Sequence, residues 1–331
     1  MGSIQSIPAY RLYTGAYVPG IALGTFGSDR YTPNEIADAV RAAADMGYRH
    51  FDCAACYGNE KEIGKALREV LRDIPRSELF ISSKLWNDRH GYDNAVSSCK
   101  NTLEDLGLDY LDMYLIHWPF ANYHPPGAPE DYHNPDARPY THDLYMETWR
   151  ALEDMHGTEL LRHIGTSNMT VPKLELLLRD VDVRPAVNQM ELHPTLRQDD
   201  LFDFCVTHEI LPIGFCPLGS PGRPERDRTP QDVEDMRHPV VLEIAQKRGI
   251  SPADVLIGWA SARKHIPVVF SIKPEQMRGN LAAIAHPLCE EDMRALEAIE
   301  CGNRLIKGQV FLWREGQRWR DLWDENGIIA R

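Results

Sequence analysis

The stretch GYRHFDCAACYGNEKEIGKAL, Gly47 to Leu67, decides the fold class of this 331-residue chain and points to its chemistry. Its first part, Tyr48 to Cys53, reads as a short buried strand, and a helix is predicted to open near Asn59. Asp52 and Tyr57 therefore lie just beyond a strand, at the carboxyl end where barrels of parallel strands place their chemistry. A carboxylate and a phenol at such a place indicate acid-base work.

Two more polar residues follow the next two apolar runs of the chain. Lys84 comes after Leu79 to Ser83, and His117 comes after Leu111 to Ile116. If the four side chains converge, the Lys84 ammonium is expected to lower the pKa of the Tyr57 phenol, and a buried carboxylate keeps the ammonium charged. A histidine can donate a hydrogen bond to a substrate carbonyl. The set predicts a proton donor for a carbonyl that accepts a hydride.

Short apolar runs alternate with helical patterns along the whole chain, which predicts parallel strands joined by crossover helices. We predict eight such units, with strands near Ile21, Phe51, Ile81, Leu115, Ile164, Val187, Ile213 and Val269. The predicted fold class is α/β, a closed (β/α)8 TIM barrel. Because such barrels reach roughly 250 residues or more as one unit, residues 1–331 are expected to form a single domain.

The ends of several elements are also readable. Residues 1–19 are expected to contain a β-hairpin that turns at Thr14 and Gly15. The first helix has Thr32 as its N-cap, Glu35 as the second half of a capping box, and Gly47 as its stop signal. A later helix is predicted to end at Gly107.

Three segments are too long to be simple connections. Residues 118–142 and 217–238 follow strands, so they are expected to be active-site loops on the C-terminal face that set substrate choice. Residues 302–331 form a C-terminal tail with Trp313, Trp319 and Trp323.

Composition excludes several classes of function. A net charge of −13 argues against nucleic acid or an anionic membrane as partner, and no apolar run reaches the roughly 18 residues of a membrane span. The amino terminus lacks a secretory signal pattern, so a cytoplasmic protein is expected. Seven cysteines fit a reduced compartment. Cys53 and Cys56 form a C-x-x-C, which we interpret as pocket-wall thiols rather than a redox pair, and no metal site is expected.

Over nearly its full length the chain resembles the aldo-keto reductases. The resemblance rests on GYRHFDCAACYGNEKEIG and on SSKLW, LIHWP, IGTSN and AVNQMELHP, which follow in the family's order. It implies that Tyr57 is the general acid, that Lys84 and Asp52 tune it, and that His117 orients the substrate. The family binds a nicotinamide cofactor without a dinucleotide-fold glycine fingerprint, and the chain has none after any predicted strand.

The resemblance also implies contacts for cofactor and substrate. The matched cofactor positions are Gly24, Thr25, Phe26, Asp52, Ser167, Asn168, Gln189, Phe215, Leu218, Ser220, Phe270, Ser271, Ile272, Lys273, Gln276 and Asn280. The matched substrate positions are Phe26, Tyr57, Trp86, His117 and Trp118. A small-molecule carbonyl is the implied partner, and we expect a monomer or weak dimer.

The chain departs from the family where the cofactor's 2′-phosphate is held. The family's usual IPKS is Val268 to Ser271 here, so the lysine is missing, and a common arginine is replaced by Gln276. Lys273 and Arg278 lie nearby and are candidate replacements. Because each charge-assisted bond to phosphate contributes roughly 1.5–3 kcal/mol, we expect NADPH and NADH to be used with relaxed preference.

The sequence favours one class of substrate over two alternatives. The run from FDCAA through CKNTLEDLGLDYLDMYLIHWP is most similar to the xylose reductase and sorbitol- or mannose-phosphate reductase branch, which favours an open-chain aldose or its phosphate. Loop arginines that could meet a phosphate are Arg223, Arg226, Arg228, Arg304 and Arg314. Two alternatives stay open: a broad-specificity detoxifying aldehyde reductase, and a non-catalytic cofactor-sensing subunit.

Overall fold

The computed structural model describes residues 7–27, 30–121 and 137–329. Its strands are β1 (Ala9–Arg11), β2 (Tyr17–Pro19), β3 (Ala22–Gly24), β4 (His50–Asp52), β5 (Phe80–Leu85), β6 (Met113–Ile116), β7 (Ile164–Ser167), β8 (Val187–Glu191), β9 (Leu211–Phe215) and β10 (Ile266–Val269). Strands β3 to β10 form a closed parallel barrel, in which β10 pairs with both β9 and β3. Strands β1 and β2 form an antiparallel hairpin. The predicted (β/α)8 barrel with an N-terminal hairpin is confirmed.

Helices cover the outside of the barrel. They are α1 (Pro33–Met46), α2 (Glu60–Val70), α3 (Tyr92–Leu106), α4 (His142–His156), α5 (Val171–Asp180), α6 (Asp199–Thr207), α7 (Pro239–Arg248), α8 (Pro252–Ala262), α9 (Pro274–Ala283) and α10 (Glu290–Glu297). Within the described ranges, no helix is both long and apolar enough to cross a membrane.

Local sequence signals explain the bounds of α1. The Thr32 hydroxyl accepts a hydrogen bond from the Glu35 backbone N–H, and the Glu35 carboxylate accepts one from the Thr32 backbone N–H, which completes the predicted capping box. The helix ends at Gly47, whose φ of 111° lies in the region that favours glycine. Both ends agree with the sequence-based prediction.

Helix α2 is fixed so that it positions the turn before it. A side chain at Gly64 would overlap the backbone of Asp105 and Leu106, so only glycine lets α2 approach α3 this closely. The buried Glu60 carboxylate accepts hydrogen bonds from Ser83 Oγ at 2.6 Å and Thr102 Oγ1 at 3.1 Å. These contacts join α2 and α3 to the carboxyl half of β5.

The N-terminal hairpin closes the opposite end of the barrel. Leu12 and Val18 are buried in one apolar cluster with strand residues such as Phe80, Met113 and Ile266. This end is therefore sealed by apolar packing, which leaves the carboxyl ends of the strands as the open mouth.

The long segments lie at that mouth where they are described. Residues 122–136 of the predicted loop 118–142 fall outside the described part of the chain, and His142 already belongs to α4. The tail is held to α5 by an ion pair between Lys173 and Asp324, and both side chains are 1% exposed. Thr170 Oγ1 donates to the same carboxylate at 2.5 Å. This buried anchor fixes the course of the tail across the mouth.

Candidate active site

The four acid-base residues come together at the carboxyl ends of adjacent strands. Asp52 is the last residue of β4, Tyr57 ends a single 3₁₀ turn (Ala55–Tyr57), and His117 follows β6 directly. Lys84 lies inside β5 rather than after it, because that strand continues to Leu85. Asp52, Tyr57 and His117 line one cavity, and Lys84 lies behind them, fully buried.

The Lys84–Asp52 ion pair is buried, and both partners make further hydrogen bonds. Lys84 Nζ donates to Asp52 Oδ2 at 2.5 Å and to the carbonyl of Cys53 at 2.9 Å. The other carboxylate oxygen, Oδ1, accepts from Ser82 Oγ at 2.9 Å and from Gln189 Nε2 at 3.0 Å. Additional hydrogen bonds of this kind help to repay the cost of removing two charges from water. The pair is a rigid support beneath the cavity.

Tyr57 keeps its proton in this environment. Lys84 Nζ lies 5.3 Å from the centroid of the phenol ring, and the ring of Phe26 lies 5.2 Å from it. Burial raises the pKa of Tyr57 well above 10, and the Asp52 carboxylate raises it further. The sequence-based expectation of a pKa brought down toward the working range was wrong, because burial and the Asp52 carboxylate both raise it. A neutral phenol is the form that a proton donor requires.

His117 is a neutral imidazole at the same place. Burial lowers its pKa well below 6.5, and the Lys84 ammonium acts in the same direction. The imidazole ring lies edge to face with Tyr57 at 5.8 Å and with Trp86 at 5.2 Å between centroids. Asn168 Nδ2 donates to the His117 carbonyl at 2.9 Å. The ring is thus held between two aromatic neighbours, one of which is Tyr57.

One cavity of about 950 Å³ contains most of the sequence-predicted contacts. Its lining includes Gly24, Thr25, Phe26, Asp52, Tyr57, Trp86, His117, Trp118, Ser167, Asn168, Gln189, Phe215, Leu218, Ser220, Phe270, Ser271, Lys273, Gln276 and Asn280. Ile272 does not line it and packs against the apolar core instead. Arg278, proposed from sequence as a replacement cation, is exposed on α9 and also lies outside the lining.

The cavity fits a nicotinamide carboxamide at its inner end. Asn168 has φ of 57°, and its backbone N–H donates to the Gln189 carbonyl at 2.9 Å, so the two predicted carboxamide contacts are joined. Its side-chain Oδ1 is buried and has no hydrogen-bond partner among the described residues. A buried acceptor without a partner is costly, and an amide N–H would satisfy it.

The outer end lies at the start of α9. Ser271 Oγ donates to Gln276 Oε1 at 2.7 Å and accepts from the Lys273 backbone N–H at 2.9 Å. Lys273 and Glu275 both line the cavity here. Charges of both signs are therefore present at this end.

Sequence analysis missed the part of the tail that lines the aromatic end of the cavity. Phe311 lies 4.6 Å from Trp118 and 6.1 Å from Trp86 between ring centroids, and it lines the cavity beside Val310. The tail tryptophan nearest to this group is Trp323, 5.6 Å from Trp118. The tail carries no periodic pattern, so its aromatic content was the one sequence signal that could have pointed to this contact with the cavity.

Sequence analysis also missed a buried charged triad that joins two long segments to β8. His193 lies between Glu191 Oε1 at 2.9 Å and Asp235 Oδ2 at 3.0 Å, and all three side chains are fully buried. Glu191 also accepts from the backbone N–H groups of Leu305 and Ile306. Burial alone would lower the pKa of His193, but Asp235 and Glu191 raise it to about 9. The triad fastens loop 217–238 and the tail to one strand end.

Comparison with known proteins agrees with this geometry. The model of the aldo/keto reductase family matches residues 20–300. An aldo/keto reductase of Synechocystis is 39% identical over 97% of this chain and 98% of its own length. Human aldo-keto reductase family 1 member A1 is 39% identical, with 89% of this chain and 90% of the relative covered.

Solved structures give the same result. The Bombyx mori aldo-keto reductase in complex with NADP superposes with a TM-score of 0.78 at 30% identity, covering 88% of this chain and 92% of the other. An aldo/keto reductase from Brucella melitensis gives a TM-score of 0.74 at 31% identity, covering 88% and 99%. The chain therefore belongs to the aldo/keto reductase family and is an NAD(P)H-dependent oxidoreductase.

Proposed function

We propose that this barrel reduces an aldehyde or ketone to an alcohol, with Tyr57 donating the proton to the carbonyl oxygen. The observation that carries the proposal is that Tyr57 and His117, both in neutral form, line the same cavity with their rings 5.8 Å apart. A bound nicotinamide cofactor supplies the hydride. His117 orients the carbonyl by a hydrogen bond, and the Lys84–Asp52 pair holds the floor of the site rigid.

Isotope transfer tests this reaction directly. The protein would be incubated with an aldehyde and with nicotinamide cofactor deuterated at C4 on either face, and the alcohol analysed by mass spectrometry. The proposal expects one deuterium in the product from one of the two labelled cofactors. An alcohol without label from either cofactor would contradict hydride transfer from the nicotinamide, and no alcohol although both cofactors bind would support the non-catalytic alternative.

For the substrate, the described walls favour an uncharged and largely apolar aldehyde. Aromatic rings surround the acid-base residues, from Phe26, Trp86, Trp118 and Phe311. Such a wall gains by burying apolar surface and offers little to a phosphate.

The loop arginines give little support to a phosphorylated substrate. Arg223 lines the cavity but pairs with Asp232 and donates to carbonyls of its own loop. Arg304 is buried and stacks on Trp323, with its guanidinium carbon 3.6 Å from a ring centroid. An unphosphorylated aldose is the second candidate, favoured by the sequence resemblance to the sugar branch. The ratio of kcat/KM for benzaldehyde, xylose and glucose 6-phosphate would rank the three classes.

For the cofactor, we propose relaxed preference with real use of NADH. Lys273 is the cation of the sequence-predicted set that lines the outer end, and Glu275 beside it would repel a 2′-phosphate. Dissociation constants of NADH and NADPH, from quenching of tryptophan fluorescence, test this. An NADPH preference above about a thousandfold, close to 4 kcal/mol, would contradict it.

A further inference from the structure

A cysteine thiol contacts the imidazole of the active site. Cys56 Sγ lies 3.6 Å from His117 Nδ1, and Cys56 lines the cavity next to Tyr57. His117 Nε2 has no hydrogen-bond partner among the described residues. The edge-to-face contacts of Trp86 and Tyr57 limit rotation of the imidazole. The two ring nitrogens therefore have different surroundings: Nδ1 meets the thiol, and Nε2 is the nitrogen available to a substrate.

A neutral imidazole carries a single N–H, so only one nitrogen can donate. Burial lowers the pKa of His117, so the ring is not doubly protonated at neutral pH. A carbonyl oxygen accepts hydrogen bonds only, so the proton has to be on Nε2 for His117 to orient a substrate. Nδ1 then carries a lone pair and is satisfied only by a donor.

The thiol can be that donor. A thiol of ordinary pKa, about 8.5, is mostly protonated at neutral pH, so the sulfur of the exposed Cys56 carries a proton. An S–H group is a weak donor, and a nitrogen lone pair is a suitable acceptor at this separation. Cys53, three residues earlier, is fully buried, and its carbonyl accepts from Lys84. The two cysteines therefore serve different neighbours rather than acting as a pair.

We propose that Cys56 is a positioning residue that donates its S–H to His117 Nδ1 and so holds the imidazole in the tautomer with its proton on Nε2. The catalytic effect of this contact rests on the proposed carbonyl reduction, whereas the contact and the tautomer exist without substrate. The thiol thus prepares the donor that meets the carbonyl oxygen, and that hydrogen bond strengthens as negative charge develops on the oxygen during hydride transfer.

Nitrogen-15 NMR of histidine-labelled protein tests the tautomer without any turnover. The two nitrogens of a neutral imidazole have well-separated shifts according to which one carries the proton, and the His117→Asn variant assigns the signals. We expect wild type to show a protonated Nε2 and an unprotonated Nδ1 for His117. A protonated Nδ1 in wild type would overturn the proposal, whatever the enzyme's activity.

Two variants of equal shape supply the functional test. Cys56→Thr keeps a donor, whereas Cys56→Val has none. We expect kcat of the valine variant to fall about fivefold below that of the threonine variant, which is the effect of one ordinary hydrogen bond. KM should change equally in both, and only the valine variant should show a mixed tautomer.

The outcomes separate this inference from the proposed function. Equal kcat values for the two variants, with the His117 nitrogen pattern unchanged in Cys56→Val, would make Cys56 an ordinary wall residue while the reductase stands. A wild type without turnover but with the expected tautomer would contradict the proposed reduction and leave the contact established.

Discussion

Replacing Asp52 with asparagine removes the carboxylate that neutralises a fully buried ammonium. Lys84 is 0% exposed, and its Nζ has one carboxylate partner, 2.5 Å away. The other two donors on Asp52, Ser82 Oγ and Gln189 Nε2, reach Oδ1 and can bind an asparagine oxygen as well. The variant therefore loses the charge and keeps the shape.

The expected cost follows from that geometry. Breaking a buried pair by removing one partner costs roughly 3–5 kcal/mol, because the remaining charge stays buried without compensation. Domains of ordinary stability have free energies of unfolding of about 5–15 kcal/mol, so the Asp52→Asn variant should remain folded but be clearly destabilised. The double variant Asp52→Asn, Lys84→Met removes the stranded ammonium and should recover most of the loss.

Urea unfolding, followed by tryptophan fluorescence and by circular dichroism, measures the effect where the two transitions coincide. The double-mutant cycle then gives the coupling between the two residues. An Asp52→Asn variant within about 1 kcal/mol of wild type, or a double variant as unstable as the single one, would refute the view that this pair is a compensated buried charge pair.

Three further predictions concern the outer cavity, the triad and the tail anchor. Gln276→Arg should strengthen NADPH binding by about tenfold or more, because it adds one charge-assisted contact to the 2′-phosphate, and it should leave NADH binding unchanged. Fluorescence titration measures both affinities, and equal gains for the two cofactors would contradict the prediction. His193 has its pKa raised to about 9 in the folded state, so its contribution, of order 3 kcal/mol, is fully present below about pH 6.5 and is lost as pH rises through 9. Urea unfolding at pH 7 and at pH 9.5 should show that loss in wild type, and His193→Gln should lack it. Asp324→Asn leaves the Lys173 ammonium buried without its carboxylate partner. Hydrogen exchange of residues 302–329 should therefore accelerate and KM should rise, with kcat less affected. Unchanged exchange in the tail would show that the Lys173–Asp324 pair does not anchor it.

The barrel could be predicted from sequence because its signals are local. Apolar runs marked the eight strands, and Thr32, Glu35 and Gly47 marked both ends of α1. Order along the chain then placed Asp52 and His117 at the same edge of the barrel, at the ends of β4 and β6 on either side of β5, since parallel strands end at one edge of a barrel.

What sequence reasoning missed depends on contacts between distant residues. The tail has no periodicity, so nothing in its sequence shows that Phe311 contacts Trp86. Nor does it show that backbone N–H groups of the tail donate to the Glu191 carboxylate. The raised pKa of Tyr57 depends first on how deeply the phenol is buried and then on the nearby Asp52 carboxylate, and motif spacing does not reveal the burial. Ile272 was matched to a cofactor contact, and its side chain packs against the core rather than lining the cavity.

The central claim is that Tyr57 donates the proton to the carbonyl oxygen. The most direct measurement is the single-turnover rate of NADPH and NADH oxidation by an aldehyde, in wild type and in Tyr57→Phe, with cofactor binding measured on the same samples. A proton donor contributes about 10²- to 10⁴-fold, so the variant should bind cofactor normally and lose at least a hundredfold in rate. A variant that binds cofactor and turns over within a few-fold of wild type would contradict the account.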